Sequence, residues 1–408
     1  MSAPGKYWLK LKGLFLRIPP WVLRDVLTPF IATRLMLTTV AWLGFHLALR
    51  PVTVGGSWEI SREGRQVRIE IGDVVSADVR PFLNMWSRWD AGWYLDLAKH
   101  GYNFVPGAPS NTSFYPMYPL LMRAVHRVLL MPRTDAGWLL AGLTVSNLAL
   151  IAALIYLVLL IRLDFDETTA ARSVLYLLVL PTTFFFSAVY TESLFLALVV
   201  SAIYYARTNR WVAAGIIGAG ATLCRAPGFL ILLPLIVEYL HQKRFQLRAV
   251  RAEALALALI PLALAGFVTC LSIHFGSWHV WFDSAVPWSR PFTWQTETVW
   301  RFFHTPHHLG LKDNAPLELA FLAFFLVLAI LACLRLRLSY GLYAAVSLFF
   351  VSLWGTISIA RYALVIFPFA IVLGLLGRNN YFHRAFLIVS VGLAAFFMVI
   401  FSQWGWVA

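Results

Sequence analysis

"GWLLAGLTVSNLALIAALIYLVLLI" (137–161) runs without one charged side chain and exceeds the ~20 residues a helix needs to cross a hydrocarbon core. Similar apolar runs recur at roughly 27–49, 172–190, 192–206, 211–224, 226–240, 252–274, 315–334, 339–354, 362–376 and 385–403. Together they predict an all-α polytopic membrane protein of about eleven transmembrane helices. Composition agrees: of 408 residues, 60% are hydrophobic and 13% charged, where a soluble chain carries about 25% charged residues. Several runs are shorter than a perpendicular span requires, which predicts paired or broken helices.

The net charge of +14 is not a nucleic-acid signal, because the basic residues sit in short clusters between apolar runs. Such clusters orient a membrane protein and meet anionic headgroups. Lys6, Lys10, Lys12, Arg17 and Arg24 place the N-terminus in the cytoplasm. Threading onward, the inside loops hold Arg162 and Arg172; Arg207 and Arg210; Lys243, Arg244, Arg248 and Arg251; Arg335 and Arg337; and Arg378 and Arg384. The short outside loops carry only Arg225 and Arg361. No cleavage site follows the first apolar run, so no removable signal peptide is expected. Cys224, Cys270 and Cys333 lack metal-ligand spacing, and neither a disulfide nor a zinc site is expected.

The chain 1–408 reads as one integral-membrane unit with two large outside loops, 50–136 and 275–314. Within the first, "QVRIEI" (66–71) alternates polar and apolar residues and predicts a small hairpin in 52–75. Residues 86–100 and 117–131 read as short interfacial helices. No internal repeat is evident, which weighs against a transporter built from repeated halves.

The same loop carries "RWDAGWYLDLAKHGYNFVPGAPSNTSFYPMYP" (88–119), dense in charge and aromatic rings. Asp90 is placed to act as general base for a hydroxyl acceptor; taken alone, it reads more readily as the N-cap of the helix that follows. Asp96, nearly two turns on, reads as an orienting carboxylate. The rings of "SFYPMYP" (113–119) are interface anchors or a stacking platform for sugar.

"FFFSAVYTESLF" (184–195) sets Glu192 between two apolar runs, a costly position without a wet cavity or a partner. "LCRAPGF" (223–229) and "SIARYAL" (358–364) offer Arg225 and Arg361 on the side that threading gives Asp90. Guanidinium groups there suit a lipid-linked phosphate, or snorkel to headgroups. Arg34, inside the first span, reads as a snorkelling residue. "DFD" (164–166) reads as a solvated acidic turn, the histidines at 274, 279, 304, 307 and 308 as no metal cluster, and Asn111-Thr112-Ser113 as a glycosylation triplet of the kind chance supplies.

These motifs converge. "RWDAGWYLDLAKHGY" (88–102) followed by "SFYPMYPLLMR" (113–123) resembles the first luminal loop of the GPI mannosyltransferase 2 (PIG-V) family and its prokaryotic relatives. "FSAVYTESLF" (186–195), "ATLCRAPGFL" (221–230) and "IARYALVIFP" (359–368) resemble that family's later segments, in order, over roughly 86–370. The arginine here is followed by Ala226-Pro227, and the aromatic pair reads Phe114-Tyr115. The resemblance implies a GT-C glycosyltransferase fold with an extracytoplasmic active site. It implies a polyprenyl- or dolichyl-phosphate sugar donor, mannose or a related hexose, and a glycolipid or glycan acceptor. It places Asp90 as the base, and the guanidinium chemistry above puts Arg225 and Arg361 at the donor phosphate. Trp89, Asp96, Tyr102, Tyr115, Tyr190 and Glu192 are candidates for sugar or acceptor contact. No cofactor is required, a divalent metal being left open. The location follows as the plasma membrane of a prokaryote or the endoplasmic reticulum of a eukaryote. The rival reading is a lipid or saccharide transporter or flippase, which calls for charges near the midplane rather than at one rim.

Overall fold

A computed structural model describes residues 18–47, 57–62, 65–70, 81–106, 109–285, 296–304, 315–353, 356 and 358–407. Lys6, Lys10, Lys12, Arg17, His307 and His308 lie outside the described residues. In chain order the principal helices are α1 (Thr28–Leu47), α2 (Ala91–His100), α3 (Met117–Val128), α4 (Asp135–Ile161), α5 (Glu167–Val179), α6 (Glu192–Arg207) and α7 (Trp211–Thr222). They continue as α8 (Leu232–Gln242), α9 (Leu259–Phe275), α10 (Ala315–Arg335), α11 (Leu338–Leu353), α12 (Ile359–Ala363), α13 (Pro368–Leu376) and α14 (Asn380–Ser402). A hairpin of β1 (Ser57–Arg62) and β2 (Arg65–Glu70) pairs antiparallel, with Ile60 opposite Val67, inside the stretch whose alternation predicts one.

Each predicted apolar run is helical over most of its length. Among the described residues, five helices are long and apolar enough to cross a membrane: Val22–Gly44, Asp135–Ile161, Ala252–Phe275, Ala315–Arg335 and Asn380–Ser402. Leu35, Leu148, Leu262 and Ile388 stand exposed on these helices, as side chains facing lipid do. α4 is the most enclosed, with 56% of its apolar window buried. It packs against α3, α5 and α6 at the centre of the bundle.

The shorter runs are broken helices, and the breaks have local causes. α5 stops at Leu180, whose ψ of 145° is extended. Pro181 follows, and a proline disfavours helical backbone in the residue before it. A single 3₁₀ turn, Thr183–Phe186, separates α5 from α6. α7 ends at Thr222, and another 3₁₀ stretch, Ala226–Ile231, leads into α8 with Pro227 in its first turn. That stretch presses on the end of α7 at Gly228, where any Cβ would lie 2.1 Å from the Ala221 carbonyl oxygen. Non-helical backbone at membrane depth persists only where protein or a water-filled cavity surrounds it.

One end of the bundle is tied by ion pairs between the loops predicted to share a side. Arg207 holds Asp164 at 2.6 Å, Arg337 holds the fully buried Glu238 at 2.7 Å, and Arg378 pairs with Asp166. Asp166 also caps α5, accepting from the Thr169 amide at 2.7 Å. "DFD" is a solvated acidic turn, as expected, with Asp164 and Asp166 both exposed, and its two carboxylates are also engaged in ion pairs.

Candidate active site

Three breaks in the bundle each deliver one charged side chain to one place. Glu192 is the first residue of α6, Arg225 precedes the 3₁₀ stretch after α7, and Arg361 sits on the five-residue α12. Asp90 joins them from the turn before α2. Arg361 donates from Nε to Glu192 Oε1 at 2.7 Å and from Nη1 to Asp90 Oδ2 at 2.7 Å. Arg225 Nη1 approaches the same Glu192 Oε1 at 2.8 Å, close but without hydrogen-bond alignment. Two cations and two carboxylates balance, as a desolvated ionic cluster requires.

Burial grades the four. Glu192 is 0% exposed and the two arginine side chains 8% and 5%, while Asp90 keeps 26%. The helix α6 N-terminus adds favourable potential at Glu192. Asp90 stands at the N-cap position of α2, but its side chain makes no cap hydrogen bond and its backbone is helical. Its carboxylate is spent on Arg361 instead. Among the described residues nothing hydrogen-bonds its second oxygen, Oδ1.

Tyr190 fixes the turn that carries Asp90. Its hydroxyl donates to the Arg88 carbonyl at 2.8 Å and accepts from the Asp90 amide at 3.2 Å. Its ring lies 4.8 Å from the Arg361 guanidinium. Tyr190 and Glu192 therefore belong to the cluster as fully buried groups that position it, not as surfaces open to a sugar. Trp89 precedes Asp90 with a φ of 54°, a left-handed conformation that strains a bulky residue.

Asp96, Tyr102 and Tyr115 form a separate group. Asp96 accepts from Asn111 Nδ2 at 2.9 Å and lies 3.1 Å from His100 Nδ1. Tyr102 donates to the Phe114 carbonyl at 2.9 Å. Tyr102 and Tyr115 both pack on Phe267 of α9, at 6.0 and 5.0 Å. Burial pushes the Tyr115 phenol up to about 12, partly offset by a hydrogen bond with Trp281. These contacts fold the loop onto the bundle. Asn111 and Thr112 are buried, so the Asn111 triplet is a loop clasp rather than an exposed acceptor for glycan. Among the described residues no three His, Cys, Asp or Glu side chains converge as metal ligands.

Arg34 corrects the snorkelling expectation. It is 8% exposed, and its guanidinium donates to the Thr183 carbonyl (3.1 Å), Ser187 Oγ (3.1 Å), the Leu178 carbonyl (3.2 Å) and Thr183 Oγ1 (3.0 Å). They lie along the break after α5: Leu178 in its last turn, Thr183 in the 3₁₀ turn and Ser187 just past it. Arg34 thus holds the break from which Glu192 emerges. Arg34→Gln should lower the thermal stability of the purified protein by several degrees, because each buried acceptor left unmet costs about 1–3 kcal/mol. An unchanged unfolding midpoint in detergent would mean that the break holds itself.

Depth follows from Ser146 on α4, which donates to the Ala188 carbonyl at 2.7 Å. Ser146 lies eleven residues past Asp135, about 16 Å along the helix. The break beside the cluster is thus well inside the bundle, below the end of α4 that bears Asp135.

The sequence profile of the mannosyltransferase (PIG-V) family matches residues 65–294, a span that holds Asp90, Glu192 and Arg225. The chain belongs to that family. A GPI mannosyltransferase 2 from Cryptococcus neoformans var. neoformans serotype D is 34% identical over 148 residues, 35% of this chain and 34% of the fungal protein. The chain thus aligns with about a third of that relative's length. Among solved structures, the apo oligosaccharyltransferase of Archaeoglobus fulgidus is similar over 92% of this chain and 56% of its own, at 12% identity and a TM-score of 0.43. The same organism's oligosaccharyltransferase AglB in complex with an inhibitory peptide and a dolichol-phosphate is similar over 91% and 55%, at 13% identity and 0.41.

Proposed function

We propose that this chain transfers a hexose, mannose by family membership, from a polyprenyl- or dolichyl-phosphate donor to a hydroxyl of a lipid-linked or glycan acceptor. The observation that supports it best is the buried cluster in which Arg361 clamps Asp90 and Glu192 while Arg225 faces Glu192. Asp90 has one oxygen held and one free. The free carboxylate oxygen takes the acceptor's hydroxyl proton as the acceptor's own oxygen attacks the anomeric carbon and forms the new glycosidic bond. The bond from the anomeric carbon to the phosphate oxygen breaks, and its electron pair leaves on the phosphate. No covalent enzyme intermediate is needed, so the configuration inverts.

The departing phosphate gains charge, and Arg225 and Arg361 are the cations beside it. Arg225 is the less committed of the two, through its misaligned contact. This chemistry proceeds without a metal, and a divalent cation assisting the phosphate is compatible with it. The basic loops joined at the far end support an extracytoplasmic position for the cluster.

Incubating purified protein with labelled polyprenyl-phosphate mannose and a cell lipid extract tests the reading; label should move to an extractable or glycan product. Arg225→Lys keeps the charge but loses the planar fork. It should cut turnover about tenfold or more, with donor binding retained. Near-normal turnover of that variant would remove Arg225 from the phosphate.

A further inference from the structure

The C-terminal segment beyond α14 returns to the turn that carries Asp90. Gly405, Trp406 and Val407 are buried, Trp406 at 8% exposure. Arg88, itself 2% exposed, donates from Nε and Nη2 to the Ser402 carbonyl at 3.0 and 2.8 Å. Its guanidinium lies 4.7 Å from the Trp404 ring. Burial pulls that guanidinium down to about 10, and among the described residues no carboxylate pairs with it. A buried cation is thus spent on fastening the end of α14 to the residue two before Asp90.

Trp89 meets this segment edge-on, 5.2 Å from Trp406 and 6.0 Å from Trp404. Trp404 has a φ of 67° and Trp89 one of 54°. Two strained tryptophans side by side persist only where their surroundings over-determine them, and such strain clusters at ligand sites. The Nε1 donors of Trp89 and Trp406 are both buried, and among the described residues neither has an acceptor. An unmet buried donor costs free energy that a ligand oxygen would return. An anchor at a membrane interface would behave otherwise, with its ring among headgroups and its N–H in water.

We propose that Trp89, Trp404 and Trp406 form a saccharide subsite beside Asp90, completed by the C-terminal segment. The ligand is the hydroxyl-bearing sugar of the acceptor: its oxygens accept from the two indole N–H groups and its carbon-bound face lies on the rings. It rests on the transferase reading for its place beside the base; Trp89 lies within the family match, whereas Trp404 and Trp406, which complete the subsite, lie beyond its end at residue 294.

The test uses the full chain in nanodiscs, with octyl α-mannoside as probe and Trp406→Phe and Trp89→Phe as variants. Each variant keeps a ring and loses the N–H. The wild type should give a saturable ultraviolet difference spectrum of perturbed indole, and each variant should bind at least fivefold more weakly. In the transfer assay, Trp406→Phe should raise the acceptor KM at least fivefold and leave kcat within twofold. A purely structural tail would instead lower the amount of active protein and leave KM unchanged. Absence of a difference spectrum in the wild type, or variants that bind the glycoside as tightly as the wild type, overturns the subsite even if mannose is transferred. A wild type that binds the glycoside through these tryptophans but transfers no mannose sinks the transferase reading and leaves the subsite standing.

Discussion

Asp90→Asn should abolish sugar transfer, by a factor of about 10² or more, while the protein still folds. The amide keeps the shape of the side chain and can still accept from Arg361. It cannot take a proton from an attacking hydroxyl. Helix α2 should not suffer, because the Asp90 side chain makes no cap hydrogen bond. The partly exposed position of this carboxylate (26%) also spares the variant a deep desolvation penalty. Turnover and unfolding midpoint, measured on one preparation, separate the two effects. Retained turnover would move the base elsewhere. Glu192 would be a poor successor, since it is fully buried between two arginines.

Glu192→Ala should have the opposite profile, with loss of folded protein leading loss of activity. Its Oε1 lies 2.7 Å from Arg361 Nε and 2.8 Å from Arg225 Nη1. Removing it leaves two desolvated cations facing Asp90 alone. Breaking a buried pair by deleting one partner costs about 3–5 kcal/mol, a large share of a typical stability of about 5–15 kcal/mol. The variant should express poorly and unfold many degrees below the wild type. Glu192→Gln should recover part of the midpoint by keeping a hydrogen-bond acceptor, yet remain slow, because Arg361 would then lean on Asp90 alone. A Glu192→Ala protein as stable as the wild type would mean that the cluster is solvated and that its burial has been overstated.

The helical bundle was legible because its signal is local: a charge-free run such as 137–161 has few alternatives in water or lipid. The short runs were legible as broken helices for the same reason, since Leu180-Pro181 and Ala226-Pro227-Gly228 are local interruptions. Asp90, Glu192, Arg225 and Arg361 stood out as charges in apolar surroundings. What the sequence could not show is who pairs with whom. Arg361 reaches Asp90 across 271 positions and Glu192 across 169, and only packing makes that contact.

Arg34 reads as a snorkelling residue from sequence because its partners are carbonyls and hydroxyls about 150 positions away, along a break whose location was visible but whose cation was not. Tyr190 and Glu192 were placed correctly along the chain but are enclosed. Asp96, Tyr102 and Tyr115 lie in the motif that drew attention to the loop, yet their polar groups are taken up in folding it. Arg88, Trp404 and Trp406 carried the weakest signal. A tryptophan near a chain end reads as an interface anchor, and its burial against the Asp90 turn exists only in three dimensions.

The central claim is that this cluster moves a sugar from a lipid phosphate to a hydroxyl. The direct measurement is product formation by purified wild type and Asp90→Asn in proteoliposomes, from polyprenyl-phosphate mannose labelled in the sugar, with a cell lipid extract as acceptor source. The account predicts a labelled glycosylated product whose anomeric configuration is opposite to the donor's, made by the wild type and absent with Asp90→Asn, both proteins binding the donor. No product from the folded wild type, a product of retained configuration, or equal product from the two proteins would contradict it.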